Sequence, residues 1–288
     1  MAALALALSA ALIWSSAFAA AKFGIADCPP LLFLVMRFSL AGLIMLGWAL
    51  SRGIRTNPRE LAILSGLGLL NFASYLGMTT VALMHVPSAI VAAIVGVNPV
   101  LTVAAGAVML RERPEARAIL ALVLGLAGVA IVTVPRALAA AGGGEVVGYV
   151  IAVVGLFSLS LGTVLFRRHG TRAEPVLANG VQSLAAGLAL LPLSAATEAW
   201  SAVTPSLALG GSLAWLIGVV SITGYLIWFR MLRTGSLAAA AVAQFAVPPL
   251  GLAYGALLHA EALGVTDLAG LVPILLAVAL INLKQKAA

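Results

Sequence analysis

Charge and apolarity are segregated along this chain. Lys and Arg come in short clusters, and between the clusters run stretches with almost no ionisable side chain. Each is about 20 residues long, the length a helix needs to cross a hydrocarbon core. Ten such stretches are bounded by charge, Pro or Gly, near residues 2–21, 31–50, 61–83, 88–110, 116–134, 146–166, 174–195, 209–230, 237–258 and 265–283. Only 9% of the 288 residues are charged and 63% are hydrophobic. A soluble domain carries about 25% charged residues. Folded in water, this chain would expose more apolar surface than a monomer tolerates, so lipid is its expected solvent.

The runs are continuous and rich in Ala, Leu and Gly, whereas strands of a membrane barrel would be shorter and would alternate apolar with polar residues. The fold class is therefore all-α, a polytopic bundle of ten helices with little outside the membrane. The first run begins at Met1 without a basic leader and is read as a retained first helix, because nine similar runs follow. Gly and Ala at helix faces let backbones approach closely, as packing within lipid requires.

Sixteen Lys and Arg against nine Asp and Glu would suggest nucleic acid in a soluble protein. Here the basic residues lie between apolar runs without interleaved aromatics, so nucleic-acid binding is excluded. The single cysteine, Cys28, rules out an internal disulfide, and no Cys or His cluster has metal-site spacing. No cofactor is expected. Motifs for membrane-embedded hydrolysis, such as H-E-x-x-H or paired acids at one depth, are missing, so the chain is not read as an enzyme.

Sorting Lys and Arg between alternate loops gives a strong asymmetry. Thirteen fall on one side: Arg52, Arg55, Arg59, Arg111, Arg113, Arg117, Arg167, Arg168, Arg172, Arg230, Arg233, Lys284 and Lys286. Only Lys22 and Arg136 fall on the other, and Arg37 lies within the second span. The positive-inside rule puts the thirteen, and with them both termini, in the cytoplasm. A bacterial inner (plasma) membrane is the expected location.

The second half echoes the first at a shift of about 145 to 150 residues. Pro30, Arg37, Ala41 and Gly42 recur as Pro175, Gln182, Ala186 and Gly187; Gly68, Tyr75 and Leu76 recur as Gly218, Tyr225 and Leu226. Further on, Pro99, Gly106 and Glu112 recur as Pro248, Gly255 and Glu261. Two five-helix units, 1–137 and 138–288, follow. An odd number of spans per unit forces equivalent helices to cross in opposite directions, and inverted repeats are a recurring carrier plan around a site near the midplane.

With Trp14-Ser15-Ser16-Ala17-Phe18 in the first span, Arg37 in the second and two Pro-x12-Glu segments ending at Glu112 and Glu261, the chain resembles the drug/metabolite transporter superfamily, in its EamA-type branch. The resemblance covers nearly the whole chain. It implies ten helices in two five-helix repeats and a likeness to the YddG-like bacterial amino-acid exporters. The second repeat has no aromatic around Leu159-Ser160-Leu161, where the first has Trp14, so the cavity is expected to be lopsided.

Several polar and aromatic side chains are candidates for that cavity. Asn71, Tyr75, Met78 and Thr79 recur at helical spacing on the third span, which suits either interhelical hydrogen bonds or a cavity wall. Trp14, Ser15, Ser16 and Phe18 lie deeper than an interfacial aromatic belt and suit packing or cavity lining. Tyr225 shares a face with Ser221 and Trp228, but Trp228 lies close to Arg230 and reads as an interface anchor. Asn98-Pro99, and Gln244 with Pro248-Pro249, interrupt the fourth and ninth spans, making Pro99 and Pro248 candidate hinges and Asn98 and Gln244 candidate substrate contacts. Arg37 either snorkels or meets carbonyls at a helix end, or it attracts a substrate carboxylate. Glu112 and Glu261 read as helix-end charges, Glu112 pairing with Arg111 or Arg113.

The expected activity is export of small zwitterionic metabolites, amino acids first, by alternating access. The alternative within transport is a multidrug or lipophilic-cation exporter. No Asp or Glu falls in the interior of a span and the three histidines lie near span ends, so facilitated transport is expected rather than carboxylate-based proton exchange. The partners are the solute and the bilayer, with the chain a monomer or weak dimer.

Overall fold

Proline opens four of the helices. Pro30, Pro58, Pro99 and Pro175 each occupy the first or second helical position, where a missing N–H removes no intrahelical bond and the fixed φ favours the helix. The computed structural model describes residues 2–82, 85, 91, 94–139, 146–170, 173–234, 244–247, 250, 253–254, 257–258 and 264–282.

Among these residues there is no strand. Helix α1 spans Ala2–Ile25, α2 Pro30–Ser51, α3 Pro58–Ala82, α4 Asn98–Met109, α5 Ala116–Ala139, α6 Val146–His169, α7 Pro175–Thr197, α8 Leu207–Arg233 and α9 Val265–Asn282. Helices α2, α3, α6, α7 and α8 are long and apolar enough to cross a membrane. Shorter apolar stretches lie in α1, α4, α5 and α9. Of the span expected at 237–258, the described residues include a 3₁₀ turn at Gln244–Ala246.

The fourth expected span is not continuous. A turn at residues 96–97 separates helical Ile94 and Val95 from α4, so Pro99 sits in the first turn of a helix and does not kink one. Pro248, Glu261, Arg172, Lys284 and Lys286 lie outside the described residues.

Three long helices widen to π-helical winding, α3 over Leu69–Ser74, α8 over Leu216–Gly224 and α6 at its end over Phe166–Gly170. Such segments add a residue to the turn and commonly mark functional regions. At the shift that aligns Tyr75 with Tyr225, the α3 and α8 segments overlap.

Packing follows the small residues. Helix α2 runs along α7, α5 along α9, α1 along α8 and α6 along α3. A methyl group added at Gly42 would meet Leu184 of α7, and one at Gly187 would meet Ser39 of α2, so each glycine lets the opposing backbone close in. Gly128 and Gly270 meet similarly between α5 and α9. The largest core cluster draws Phe38, Phe72, Phe166 and Phe229 from α2, α3, α6 and α8. Outward faces carry large apolar side chains, Leu43, Leu50, Phe157, Leu188 and Leu275 among them, each more than half exposed. In water that surface would be a liability; against acyl chains it is the expected exterior.

Polar contacts tie the start of α2 to the end of α7, and the end of α1 to the start of α8. Pro29 and Pro30 offer no side-chain cap for α2; Glu198, just beyond the end of α7, accepts hydrogen bonds from the Leu31 and Leu32 N–H groups at 2.7 Å each. Ser194 Oγ donates to the same carboxylate at 2.8 Å, and Ser206 Oγ donates to Asp27 Oδ2 at 2.6 Å. Helix α7 is capped locally, by Glu174 accepting from Val176 and Leu177.

Candidate functional site

Helix α8 carries Ser221, Tyr225, Trp228 and Met231 at spacings of four, three and three, which keeps them on one face. That face turns inward against α1 and α2. Trp228 is only 6% exposed and meets the Trp14 ring edge-on at 5.1 Å, so it is a buried wall residue and not the interface anchor expected from its nearness to Arg230. Trp14 also lies 5.5 Å from Tyr225, and Tyr225 lies 4.5 Å from Phe72.

At the deep end of this face stands Arg37. It is buried, does not snorkel, and donates from Nε to Ser221 Oγ at 2.9 Å, with its guanidinium 5.0 Å from the Phe38 ring centre. Among the described residues its terminal nitrogens have no hydrogen-bond partner and it faces no carboxylate. Asn179 of α7 fixes the other side of Ser221, donating from Nδ2 to the Ser221 carbonyl at 2.7 Å, and Ser183 Oγ donates to Asn179 Oδ1 at 3.2 Å.

The corresponding contact on α3 uses uncharged groups. Asn71, in the π-helical segment, donates from Nδ2 to Gln182 Oε1 of α7 at 3.1 Å, and Gln182 Nε2 donates to the Ala178 carbonyl at 3.2 Å. Asn71 Oδ1 is buried without a partner and lies against Gly162, where a side chain would collide with it. Tyr75 follows Asn71 by one turn on α3, as Tyr225 follows Ser221 on α8. Neither phenol O–H has a hydrogen-bond partner among the described residues.

A second polar cluster joins α4, α6 and the Gln244–Ala246 turn. Asn98 Nδ2 donates to Gln244 Oε1 at 2.8 Å; Asn98 Oδ1 accepts from Ser160 at 2.8 Å and from Thr102 at 3.4 Å. Between the clusters a narrow crevice, with room for about one water molecule, is lined by Ala10, Ala11, Trp14, Trp228, Met231, Gln244 and Val247. Trp14 Nε1 is buried and has no acceptor.

The sequence-derived candidates therefore separate. Trp14 meets Tyr225, which lies one turn beyond Ser221, the partner of Arg37, and Trp14 and Gln244 both line the crevice. Ser15 and Ser16 donate to carbonyls of their own helix, at Leu12 and Ile13, and Ser16 also accepts from Trp215 Nε1 of α8 at 3.0 Å, so of the two Ser16 joins helices. Thr79 likewise donates to the Tyr75 carbonyl at 2.8 Å. Met78 packs on α6 opposite Gly155. The side chain of Phe18 lies outside the described residues. Glu112 pairs with Arg167 of α6 at 3.6 Å rather than with its sequence neighbours, because α4 and α6 end side by side. Asn179, Ser183 and Ser160 were missed, although each is a buried polar residue within an apolar run.

The family comparison decides what this bundle is. The model of the EamA-like transporter family matches the chain twice, over residues 1–134 and 146–283. The chain belongs to the EamA-like transporter family. Its similar relatives include an uncharacterised transporter, YvbV, of Bacillus subtilis, 30% identical over 96% of this chain and 90% of that one. An uncharacterised inner membrane transporter of Escherichia coli, YedA, is 28% identical over 94% and 88%. A probable amino-acid metabolite efflux pump of Escherichia coli is 26% identical over 90% and 87%. A solved crystal structure superposes with a TM-score of 0.83 at 22% identity, covering 99% of this chain and 98% of the other, which establishes the shared fold. Family and relatives are named as transporters, and the protein is a multi-pass membrane protein whose partners are a small-molecule solute and the bilayer.

Proposed function

We propose that this EamA-like protein exports small zwitterionic metabolites, amino acids first, by alternating access between two inverted five-helix halves, residues 1–137 and 138–288. The carrying observation is a pair of reciprocal contacts. Arg37 of α2 meets Ser221 of α8, and Gln182 of α7 meets Asn71 of α3. Arg37 aligns with Gln182 and Asn71 with Ser221, so one contact becomes the other when the halves exchange. The Gly42–Leu184 and Gly187–Ser39 approaches, and the π-helical segments of α3 and α8, exchange in the same way. Such reciprocity is what a two-fold axis in the membrane plane would produce, and it supports the ten-span topology with both termini cytoplasmic.

The Arg37, Tyr75, Tyr225 and Trp14 space is the solute site in this reading, with Arg37 for the carboxylate and aromatic faces for the apolar body. Asn98 and Gln244 hold the wall next to it. The breaks before Asn98 and at Gln244–Ala246, together with Pro99 and Pro248, supply the bending points. The name of the amino-acid metabolite efflux relative agrees with this solute class. A lipophilic-cation exporter is disfavoured, because a buried guanidinium with no described acidic partner repels cations. Acidic side chains lie at span ends, so transport is facilitative.

The test is uptake by purified protein in liposomes of a labelled amino-acid panel, with and without a pH gradient. Saturable uptake stimulated by solute on the opposite side and indifferent to the gradient is expected. Flux of lipophilic cations without amino-acid flux would transfer the protein to the other class, and non-saturable flux would make it a pore.

A further inference from the structure

The polar groups left without partners around the proposed solute space are almost all donors. Arg37 contributes its terminal N–H groups, Tyr75 and Tyr225 their phenol O–H groups, and Trp14 its indole N–H. The neighbouring acceptors each already hold one donor: the Ser221 carbonyl that of Asn179, Asn179 Oδ1 that of Ser183 and Gln182 Oε1 that of Asn71. The remaining acceptor, Asn71 Oδ1, is buried against Gly162. A solute carboxylate would find the Arg37 charge and several donors here, whereas a solute ammonium would find no opposing charge among the described residues, only ring faces and neutral oxygens.

Resting on the site named above, the geometry points to a carboxylate requirement without an amine requirement: amine-free monocarboxylates with an apolar body are ligands of this protein alongside amino acids. Arg37 is the group that sets the preference. Its counterpart Gln182 carries no charge, so the anion is held on the α2 and α8 side of the space and not symmetrically.

Three probes of one carbon skeleton separate the groups: leucine, leucinamide, which lacks the carboxylate, and 4-methylpentanoate, which lacks the amine. Binding to the purified full-length protein in detergent is measured by calorimetry, and flux is measured separately in liposomes. The expected result is 4-methylpentanoate binding at least as well as leucine and leucinamide binding about tenfold or more weakly, the loss of one charge-assisted hydrogen-bonded contact. Arg37→Gln should erase that ratio and Arg37→Lys should keep part of it. The wild-type series stands alone if a variant fails to fold. Leucinamide binding as well as 4-methylpentanoate, or no binding of 4-methylpentanoate, overturns the inference. Acid-selective binding without saturable flux would instead sustain the inference and sink the carrier reading.

Discussion

Asn98 and Gln244, 146 residues apart in sequence, hydrogen-bond directly to each other, Nδ2 to Oε1 at 2.8 Å. Asn98 opens α4 after the turn at residues 96–97, and Gln244 opens the Gln244–Ala246 turn. The contact ties α4 to the Gln244–Ala246 turn. Ser160 and Thr102, both donating to Asn98 Oδ1, make the junction a network.

Truncating either amide should leave the other unpaired in an apolar setting. Asn98→Ala and Gln244→Ala are each expected to lower stability by about 1–2 kcal/mol. The double variant should lose less than the sum, with a coupling near the roughly 0.6 kcal/mol typical of hydrogen bonds within membranes. Thermal unfolding of all four proteins in detergent measures this. Strict additivity would mean that the contact contributes nothing.

Close approach of α2 and α7 rests on glycine. Gly187→Val should prevent the helices from meeting, with loss of monodisperse protein, because even one added carbon collides with Ser39. Gly47→Ala on the same α2 helix meets nothing within 4 Å and should be neutral or slightly stabilising. Size-exclusion profiles and melting points of the two variants should differ accordingly.

Tyr225→Phe keeps the ring contacts with Trp14 and Phe72 and removes one donor. Folding should be unchanged, and the half-saturation concentration for a carboxylate solute should rise by about tenfold, as one hydrogen bond to a charged group is worth about 1.5–3 kcal/mol. Liposome flux kinetics check it. An unchanged half-saturation would remove Tyr225 from the solute site.

The Cys28 thiol sits outside the spans. Burial, and then the nearby Glu198 carboxylate, push its pKa above the ordinary value. The neutral thiol is thus the folded-state form, and its contribution to stability holds through neutral pH and is lost as pH rises through the raised pKa. Maleimide labelling of Cys28 should be slow at neutral pH and accelerate only in the alkaline range. Glu198→Gln should move that acceleration to lower pH, and an unmoved profile would show that the carboxylate does not act on the thiol. The same variant weakens the cap on the α2 N-terminus, at a cost of about 1 kcal/mol.

What could be read from the sequence was set by solvent. In lipid, every backbone polar group must be satisfied within its own segment, so apolar length alone announces a helix, and the observed α2, α6 and α7 lie within a few residues of their expected ranges. The break before Asn98 was legible only as a proline, because hydropathy does not register how a chain turns. The site was half legible. Tyr75, Tyr225, Trp14 and Arg37 stood out as polar or aromatic groups in apolar runs. Ser15, Ser16 and Thr79 stood out equally, yet their hydroxyls are absorbed by carbonyls of the preceding turn. Trp228 was misread because nearness to Arg230 in sequence says nothing about which face of α8 turns inward. The Glu112–Arg167 pair joins two helix ends far apart in sequence, which no local pattern could announce.

The central claim is that the halves run in opposite directions, and sidedness tests it most directly. The loop before α2 and the end of α6 occupy corresponding places in the two units. In a Cys28→Ser background, Ala26→Cys and Arg168→Cys each place one thiol at an exposed position. In intact cells an impermeant maleimide should label Ala26→Cys and leave Arg168→Cys untouched until the membrane is permeabilised. Labelling of both positions from the same face would contradict the inverted arrangement and the carrier mechanism built on it.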